Sequence, residues 1–484
     1  MRLSGTVDVD PSGLRLTYMI IDSMIRFPDT EWHSFPEVVR EHIKRLLTYK
    51  NPKYYSAQAM GFSVRALPKT VQTFKQDLLT GDIVISRGEF KSVTDAFQDY
   101  PRPIELSLHD KTEMVDLPSI EYVNTEFELD ERQNRCIDAC MKVRQGIVYA
   151  ATSSGKSEMI FSLIAQKKQK TLVVINRKVL LDQLMQDAKK RLKGCTFGSV
   201  VGGKAEWGDV TFALEKSLMK HIKHVRGRFG MVIGDEVHIS AAPSFQKIYD
   251  KVGASNRFGF TGTLRRKDHM EFLIYATFGR VVAEVTSNEI IEANRAVPVE
   301  TIIHETNVSV PDEIWKSKVA TDPIRFNKYA DALVHENFGR LLQVKDVIMK
   351  IREANPDAKI AIACRYLQPL HNLQAELLLD GIEAESITGA SKDAIGTCER
   401  MEKGECKVIL ATIPCFSTGI NIKSLTDLIL ISPTFTNELV IHQLRGRLMR
   451  MDGTKTYGKL HFMWDPNVYD HRKLSRFLSI MKKS

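Results

Sequence analysis

A run of small residues, Ala151-Thr152-Ser153-Ser154-Gly155-Lys156-Ser157, follows the apolar segment Ile147–Ala150, and a helix is expected to begin near Ser157. Small residues allow backbone N–H groups to wrap around a phosphate at the start of a helix. In that arrangement Lys156 contacts the β- and γ-phosphates, and the Ser157 hydroxyl ligates Mg²⁺. Ala150 replaces the first glycine of the usual pattern. The segment predicts an ATP-binding loop formed by Thr152, Ser153, Ser154, Gly155, Lys156 and Ser157.

Two adjacent carboxylates, Asp235 and Glu236, follow the apolar segment Met231–Gly234 and precede Val237 and His238. In α/β sheets, ligands bind at the carboxyl ends of strands. Asp235 is expected to hold Mg²⁺ through water, and Glu236 to polarise the water that attacks the phosphate. An exposed acidic turn is the alternative interpretation. The phosphate-binding loop upstream favours nucleotide hydrolysis.

Alternating apolar segments and helical stretches surround these motifs, which is typical of parallel sheets covered by helices on both faces. The predicted fold class is α/β, with a domain over residues 119–300, a second over 301–484 and a small α+β accessory domain over 1–118. In the accessory domain, strands are predicted at Leu14–Ile21 and Asp82–Ser86, and a helix around Phe35–Tyr49. The predicted strands of the two larger domains are Ile147–Ala150, Leu172–Ile175, Val210–Ala213, Met231–Gly234, Phe258–Thr261, Lys359–Ala363, Glu385–Thr388, Lys407–Ala411, Asp427–Ile431 and Lys459–Phe462.

The composition is that of a globular chain of 484 residues, 43% hydrophobic and 26% charged, which argues against disorder, collagen-like repeats and coiled coil. No apolar run approaches the roughly 18 residues that span a bilayer, so we expect a cytoplasmic protein with no membrane partner. The seven scattered cysteines indicate reduced thiols, and Cys136 and Cys140 are more consistent with a core than with a metal site. The net charge is +9, and segments 41–75 and 161–230 are strongly basic, which favours a polyanionic partner.

The segment Asp235-Glu236-Val237-His238 resembles the DExH box of superfamily 2 helicases and translocases. Gln133, next to Arg132, is similar to the glutamine that reads adenine in this family, and Thr261-Gly262-Thr263 resembles the motif that couples hydrolysis to DNA movement. The resemblance implies two tandem RecA-like domains. It also implies that the cofactors are ATP and Mg²⁺.

A further match lies near the end of the second domain, where Gln443-Leu444-Arg445-Gly446-Arg447-Leu448-Met449-Arg450 resembles the family pattern Gln-x-x-Gly-Arg-x-x-Arg. By this resemblance Gln443 is a catalytic residue, and Arg447 and Arg450 act as arginine fingers on the γ-phosphate. The chemistry requires such cations because charge develops on the transferred phosphoryl group. Thr412 and the segment Ser417–Asn421, which contains Gly419, resemble the motif that contacts nucleotide and DNA backbone.

Two family motifs that bind the DNA backbone are altered here. The family Pro-Thr after the second strand is Asn176-Arg177, and the Thr-x-Gln-Ser/Thr segment is Leu214-Glu215-Lys216-Ser217. The DNA contacts of the two larger domains are therefore predicted to be Arg177, Lys178, Lys216, Thr263, Arg265, Arg365 and Thr412.

The first 118 residues contain Asn51-Pro52-Lys53-Tyr54-Tyr55, followed by Gly61 and Arg65. Together with Phe258–Arg265 and Phe416–Ile420, this element resembles the UvsW-type helicases of tailed phages and their XPB-like relatives. Lys53 and Arg65 are predicted to contact DNA phosphates. Aromatic residues of this region, Tyr49, Phe62 and Phe74 among them, could stack on an opened base or fill the core of the accessory domain.

The resemblance implies an enzyme, a DNA-dependent ATPase and helicase that acts on branched DNA by branch migration and fork regression. The setting would be phage-type replication, recombination or repair in the host cytoplasm, with other phage proteins of these processes as partners. An RNA helicase of the DExH type, the motor subunit of a restriction complex and an ATP-binding scaffold without turnover are the alternatives. The complete set of catalytic residue types argues against the scaffold.

Overall fold

The computed structural model describes residues 17–99, 104, 106–123, 128–151, 153–240, 243–266, 268–293, 296–391, 393–419, 422–432 and 438–483. These residues divide into two compact units. The first holds the residues up to Ala151 and from Gly155 to Val285, and the second holds Ser153, Ser154 and the residues from Thr286 onwards. No helix among the described residues is long and apolar enough to cross a membrane.

The accessory region, residues 17–118, has a mixed five-stranded sheet in the order β5-β6-β2-β1-β7, in which only β1 and β7 run parallel. Its core combines aliphatic side chains such as Ile25 and Ile85 with the aromatic side chains of Phe27, Trp32, Phe35 and Phe97. The elements are β1 Thr17–Ile21, β2 Ile25–Phe27, α1 Asp29–Ser34, α2 Glu37–Leu46, β3 Thr48–Lys50, α3 Pro52–Ala59, β4 Thr70–Gln72, β5 Phe74–Gln76, β6 Ile83–Ile85, α4 Phe90–Gln98 and β7 Leu106–Asp110.

The predicted helix Phe35–Tyr49 was too long at its carboxyl end. The helix α2 ends at Leu46 because Thr48–Lys50 forms a strand that pairs antiparallel with β4. The predicted strand Leu14–Ile21 is observed from Thr17, and its first three residues lie outside the described residues. The predicted strand Asp82–Ser86 is observed as Ile83–Ile85.

The first unit also contains an eight-stranded sheet in the order β13-β12-β14-β10-β15-β16-β9-β17, parallel except for β13. All five strands predicted for this region are present, whereas β12, β13 and β17 were missed. The elements are β8 Glu121–Tyr122, α5 Glu131–Met141, β9 Gln145–Ala150, α6 Lys156–Lys167, β10 Thr171–Ile175, α7 Lys178–Arg191, β11 Leu192–Lys193, β12 Phe197–Val201, β13 Lys204–Glu206, β14 Val210–Leu214, α8 Glu215–His221, β15 Met231–Asp235, α9 Val237–Ser240, α10 Pro243–Tyr249, β16 Asn256–Thr261, α11 Phe272–Phe278 and β17 Val281–Val285.

Buried polar contacts attach the accessory region to this sheet. The Arg87 guanidinium, 3% exposed, donates to the backbone oxygens of Ala254 and Ser255 at 2.6 and 2.5 Å. The ring of Tyr49 stacks on Phe272 with centroids 4.3 Å apart. The backbone at Gly88 lies so close to the carbonyl of Tyr275 that a β-carbon would overlap it. The accessory region and the sheet therefore pack as one unit.

The second unit has a six-stranded, wholly parallel sheet in the order β18-β23-β22-β19-β21-β20. The five predicted strands are present. The strand β18, which sequence analysis missed, crosses the predicted boundary at residue 300, and both domain boundaries stay predictions. The elements are α12 Ser287–Glu292, β18 Val299–Glu305, α13 Asp312–Trp315, α14 Lys318–Thr321, α15 Pro323–Glu336, α16 Phe338–Ala354, β19 Ile360–Cys364, α17 Leu367–Leu379, β20 Glu385–Ile387, α18 Ala394–Lys403, β21 Val408–Thr412, α19 Ile413–Gly419, β22 Asp427–Leu430, α20 Glu438–Leu448, β23 Gly458–Trp464 and α21 His471–Lys483.

Candidate active site

Three neighbouring strands of the first unit, β15, β16 and β9, end in the motifs that sequence analysis selected. The phosphate-binding loop follows β9, Asp235 ends β15 and Thr261 ends β16. The strands are parallel and in register, with Asp235 opposite Phe260 and Thr261 opposite Tyr149. All three motifs therefore lie at the same carboxyl edge of the sheet, where α/β proteins bind ligands.

The phosphate-binding loop has the backbone that its small residues predict. Ser153 and Gly155 both adopt left-handed conformations, with φ of 71° and 76°, and Gly155 is the N-cap of α6. A β-carbon at position 155 would overlap the side-chain amide of Gln133, so only glycine fits. Thr152 lies outside the described residues. Ser154 is 7% exposed.

The side chain of Lys156, the first residue of α6, reaches back across the loop. Its Nζ atom donates to the backbone oxygen of Ala150 at 3.2 Å and lies 3.8 Å from Oε1 of Glu236. The two predicted catalytic groups, the lysine and the general base, are thus brought together by the fold although 80 residues separate them in sequence.

The acidic pair is held in a strained turn. Glu236 has φ of 49°, a conformation that costs a non-glycine residue about 1–3 kcal/mol and is found at functional sites. Burial, and then the charge of Glu236, raise the pKa of Asp235. Burial also acts to raise the pKa of Glu236, but the charge of Lys156 and the hydrogen bond from His238 outweigh it and lower that pKa. The lowered pKa keeps Glu236 ionised, as a general base requires.

His238 connects the acidic pair to the predicted coupling motif. Its Nδ1 atom lies 2.8 Å from the hydroxyl of Thr261 and 3.3 Å from Oε2 of Glu236, and its side chain is buried. The Thr261 hydroxyl donates to the backbone oxygen of Thr263 at 2.6 Å, so the proton between the imidazole and the threonine belongs to Nδ1. A single chain of hydrogen bonds therefore runs from the general base to Thr263.

Gln133 and Arg132 lie at the start of α5. The Asp130 carboxylate accepts from the backbone N–H of Gln133, and Oε1 of Gln133 accepts from the N–H of Asp130, both at 3.0 Å. This capping box orients the glutamine amide towards Gly155. Arg132 pairs with Asp130 at 2.6 Å. The adenine-reading role of Gln133 and the ATP contact of Arg132 stay predictions.

The residues present fit a magnesium ion. The Ser157 hydroxyl and the Asp235 carboxylate are hard oxygen donors, which Mg²⁺ prefers. Oδ1 of Asp235 accepts from the backbone N–H of Glu236 at 3.0 Å. Among the described residues, no three His, Cys, Asp or Glu side chains are placed to hold a metal. A site of one hydroxyl and one carboxylate, completed by substrate phosphates and water, is typical of nucleotide-bound Mg²⁺.

Exposed basic side chains continue along the same edge. Arg177 and Lys178 follow β10, and Lys216 follows β14, the neighbouring parallel strand. Arg265 is exposed after β16, and its backbone N–H donates to the Thr263 hydroxyl at 3.1 Å. Thr263 itself is 6% exposed, and both its coupling role and its DNA contact stay predictions. In the accessory region, Lys53 and Arg65 are exposed.

In the second unit, Arg365 and Thr412 lie at the carboxyl ends of neighbouring strands, since Thr412 is paired with Cys364. Gln443 and Arg447 lie four residues apart, and so on one face of α20. Arg450 follows the helix. Burial is the main cause that lowers the pKa of its guanidinium well below the usual value, and the positive charge of Arg447 is the second. Gly419 is the last residue of α19, and Ile420 and Asn421 lie outside the described residues.

Sequence analysis missed Arg266, which is 8% exposed and donates to the backbone oxygen of His238 at 3.0 Å. The same guanidinium pairs with Asp268 through two hydrogen bonds of 2.9 Å. Arg266 thus joins the segment after Thr263 to the DExH segment. The sequence feature that could have identified Arg266 is its position in the basic run after Thr263, from which sequence analysis selected only Arg265.

Comparison with known proteins agrees with this geometry. A profile of the type III restriction enzyme res subunit matches residues 126–266, and one of the helicase conserved C-terminal domain matches residues 341–452. The probable helicase D10 of Escherichia phage T5 is 26% identical over 375 residues, covering 76% of this chain and 75% of that protein. The ATP-dependent DNA helicase uvsW of Enterobacteria phage T4 is 24% identical over 391 residues, covering 75% and 72%. The DNA 3'-5' helicase XPB of Mycobacterium tuberculosis is 23% identical over 335 residues, covering 67% and 58%.

Two solved structures are also similar. The crystal structure of T4 UvsW aligns over 96% of both chains, with a TM-score of 0.43 and 16% identity. The Hef helicase domain of Pyrococcus furiosus aligns over 72% of this chain and 97% of that domain, with a TM-score of 0.46 and 12% identity. With both TM-scores below 0.5, the family assignment rests on the sequence matches and on the two parallel sheets.

A pair of parallel-sheet domains with hydrolytic motifs along a carboxyl edge, matched by two helicase-type profiles, defines an ATP-dependent helicase of superfamily 2. Within that superfamily the chain resembles the helicases of UvsW and XPB type.

Proposed function

We propose that this helicase translocates on DNA and remodels branched DNA, by branch migration and fork regression, in phage-type replication, recombination or repair. The main support is that the hydrolytic motifs and four exposed basic residues follow strands of one sheet at its carboxyl edge. These residues are Arg177, Lys178, Lys216 and Arg265. Cations there would bind the phosphate backbone without reading sequence. The names of the T4 and XPB relatives, which are DNA helicases, support the same substrate.

The proposed mechanism begins with ATP on the loop around Gly155, where Lys156 binds the β- and γ-phosphates. Ser157 and Asp235 would hold Mg²⁺, which neutralises charge that develops on the phosphates. Glu236 accepts a proton from the attacking water, and Arg447 and Arg450 supply positive charge to the γ-phosphate. When ATP is hydrolysed, a change in the charge or position of Glu236 would alter its contact with His238 and the contact of His238 with Thr261. This would couple hydrolysis to the DNA contacts that follow Thr261.

The experiment that tests this proposal compares ATP turnover with single-stranded DNA, duplex, fork, four-way junction and RNA of matched length. We expect stimulation by DNA, greatest with the branched molecules. Stimulation by RNA that exceeds that by every DNA would instead support an RNA helicase. Equal stimulation of ATP turnover by duplex and junction would support a DNA translocase but reject branched DNA as its preferred substrate. That result would favour the motor subunit of a restriction complex. GTP turnover measured beside ATP turnover in Gln133→Ala tests adenine reading.

A further inference from the structure

A loop of the accessory region, residues 51–69, carries positive charge without any acid. With Lys50 at its start, it presents four exposed cations, Lys50, Lys53, Arg65 and Lys69. The buried residue Asn51 joins the two ends of this loop by hydrogen bonds. The Asn51 amide donates to the backbone oxygen of Pro68 at 2.7 Å, its carbonyl accepts from Lys53 N–H, and its own N–H donates to the oxygen of Lys69 at 2.9 Å. We call this element the Asn51–Lys69 loop.

The same loop exposes three large apolar side chains, Tyr55, Met60 and Phe62, at 42%, 63% and 56% of their surface. Tyr54, by contrast, is buried and anchors the loop. The exposed positions are ordered, because the end of α3 is capped by hydrogen bonds from Gly61 N–H to Gln58 and from Phe62 N–H to Ala57. Met60 and Phe62 are thus held largely in solvent, whereas the half-exposed ring of Tyr55 also packs edge-on against Tyr54, with centroids 5.2 Å apart.

The loop lies next to the candidate active site within the first unit. Tyr49, two residues before Asn51, stacks on Phe272 with the rings 6° from parallel, and Phe272 begins α11 just after the segment that contains Arg266. Burial acts to raise the pKa of Asp268, but the guanidinium of Arg266 and, more weakly, the charge of Lys53 lower it. The Lys53 charge therefore lies near that segment. The loop is therefore attached beside the residues that follow the coupling motif.

We propose that the Asn51–Lys69 loop binds unpaired bases at a DNA branch point. Phe62, Met60 and Tyr55 contact base faces, and Lys53 and Arg65 bind the flanking phosphates. The partner is DNA because four cations without an acid complement phosphate, and because aromatic side chains stack on any base that is not already stacked. In an intact duplex the base faces are covered, so these apolar side chains add affinity only where pairs are open. This assignment rests on the proposed DNA function and specifies its substrate contact.

The test uses the full chain without nucleotide and measures affinity, by fluorescence anisotropy, for a four-way junction with unpaired bases at its centre and for a duplex of equal length. The variant is Met60→Ala with Phe62→Ala. Its matched control is Leu78→Ala with Leu79→Ala, two leucines that are 97% and 96% exposed at the turn between β5 and β6. Loss of base stacking is expected to lower the ratio of junction to duplex affinity about tenfold. In the control the ratio stays within about twofold of the starting protein.

A second readout places 2-aminopurine at an unpaired position of the junction. The starting protein should change its fluorescence, and Met60→Ala with Phe62→Ala should remove most of that change. An unchanged affinity ratio, an equal fall in the control, or no preference of the starting protein for the junction would each overturn the assignment. If branched DNA still stimulates ATP turnover more than duplex does in those cases, the proposed function stands. If DNA neither binds nor stimulates the starting protein, both proposals fail.

Discussion

The imidazole of His238 and the hydroxyl of Thr261 are 2.8 Å apart, and both side chains are buried. His238 follows the acidic pair on one strand end, and Thr261 ends the neighbouring strand. Because Nδ1 also faces Glu236, a change in the charge or position of the general base reaches Thr261 through one side chain. This contact is one path in the first unit from the hydrolytic residues to the predicted coupling motif, and a backbone hydrogen bond from Gly262 to Glu236 is another.

Replacing Thr261 by valine keeps the shape of the side chain and removes its hydroxyl, so His238 loses its partner. We expect DNA-stimulated ATP turnover to fall less than about fivefold and strand separation to fall at least tenfold, measured on the same fork. Thr277→Val is the matched control, since Thr277 is also buried and its hydroxyl donates to the Leu273 carbonyl within α11. Equal losses of turnover and strand separation in Thr261→Val would show that Thr261 serves hydrolysis itself.

Substitutions of Lys156 and Glu236 should separate binding from hydrolysis. Lys156→Ala is expected to weaken ATP binding, and Glu236→Gln to retain binding, while each lowers turnover at least 100-fold because charge stabilisation or proton acceptance is lost. Nucleotide binding is measured by calorimetry and turnover by phosphate release. Lys142→Ala, at an exposed lysine after α5, is the control and should behave as the starting protein. Rapid turnover by Glu236→Gln would assign the general base elsewhere.

Arg447→Ala tests the arginine-finger role. A fixed cation on the γ-phosphate contributes about 10³-fold or more to turnover, so kcat should fall by that order while ATP affinity changes only a few-fold. Arg476→Ala, at an exposed arginine of α21, controls for the loss of one positive charge from the second unit. A large loss of ATP affinity with little change in kcat would instead make Arg447 a ground-state binding residue.

Arg87→Met tests the attachment of the accessory region. The substitution retains most of the buried volume but leaves the carbonyls of Ala254 and Ser255 without their donor, at a cost of about 2–5 kcal/mol in the free energy of unfolding. Urea denaturation measures this cost. Lys44→Ala, which removes an exposed ion pair with Glu41, should cost less than about 1 kcal/mol. Similar stability of the two variants would mean that the Arg87 hydrogen bonds contribute little.

Glu215, at the start of α8, should make stability depend on pH. Burial, only partly offset by Lys216, raises its pKa to about 7, whereas the unfolded chain has an ordinary glutamate near pKa 4.5. Between these values the folded state retains a proton that the unfolded state has released, so stability falls as pH rises. Glu215→Gln should match the starting protein near pH 4.5 and be about 1–2 kcal/mol more stable at pH 8, after allowance for solvent screening. Urea denaturation at both values measures the difference. If the stability difference between Glu215→Gln and the starting protein were the same at pH 4.5 and pH 8, titration of Glu215 would not be its cause.

Many of the strands that sequence analysis found have continuous apolar runs, such as Thr171–Ile175 in the interior of the first sheet, although the edge strand Glu385–Ile387 was found without one. The strands β13, β17 and β18 lie at sheet edges, and the last two include Glu284 and Glu300. An edge strand is partly exposed, so its sequence is less apolar and the strand signal is weaker.

The hydrolytic motifs could be predicted because each is contiguous in sequence and has its own spacing rule. Contacts between distant segments could not, and the stack of Tyr49 on Phe272 is an example. Nor could sequence distinguish Tyr54 from Tyr55. These neighbours on α3 point about 100° apart, so one is buried and the other is exposed.

The close approach at Gly88 bears on how this protein can be divided or rebuilt. Its backbone abuts the carbonyls of Tyr275 and Ala276 with no room for a side chain. A shortened version that lacked the accessory region would leave those carbonyls and those of Ala254 and Ser255 facing water across a surface shaped for another backbone. Exchange of this region between relatives would therefore require transfer of α11 and the segment before β16 with it.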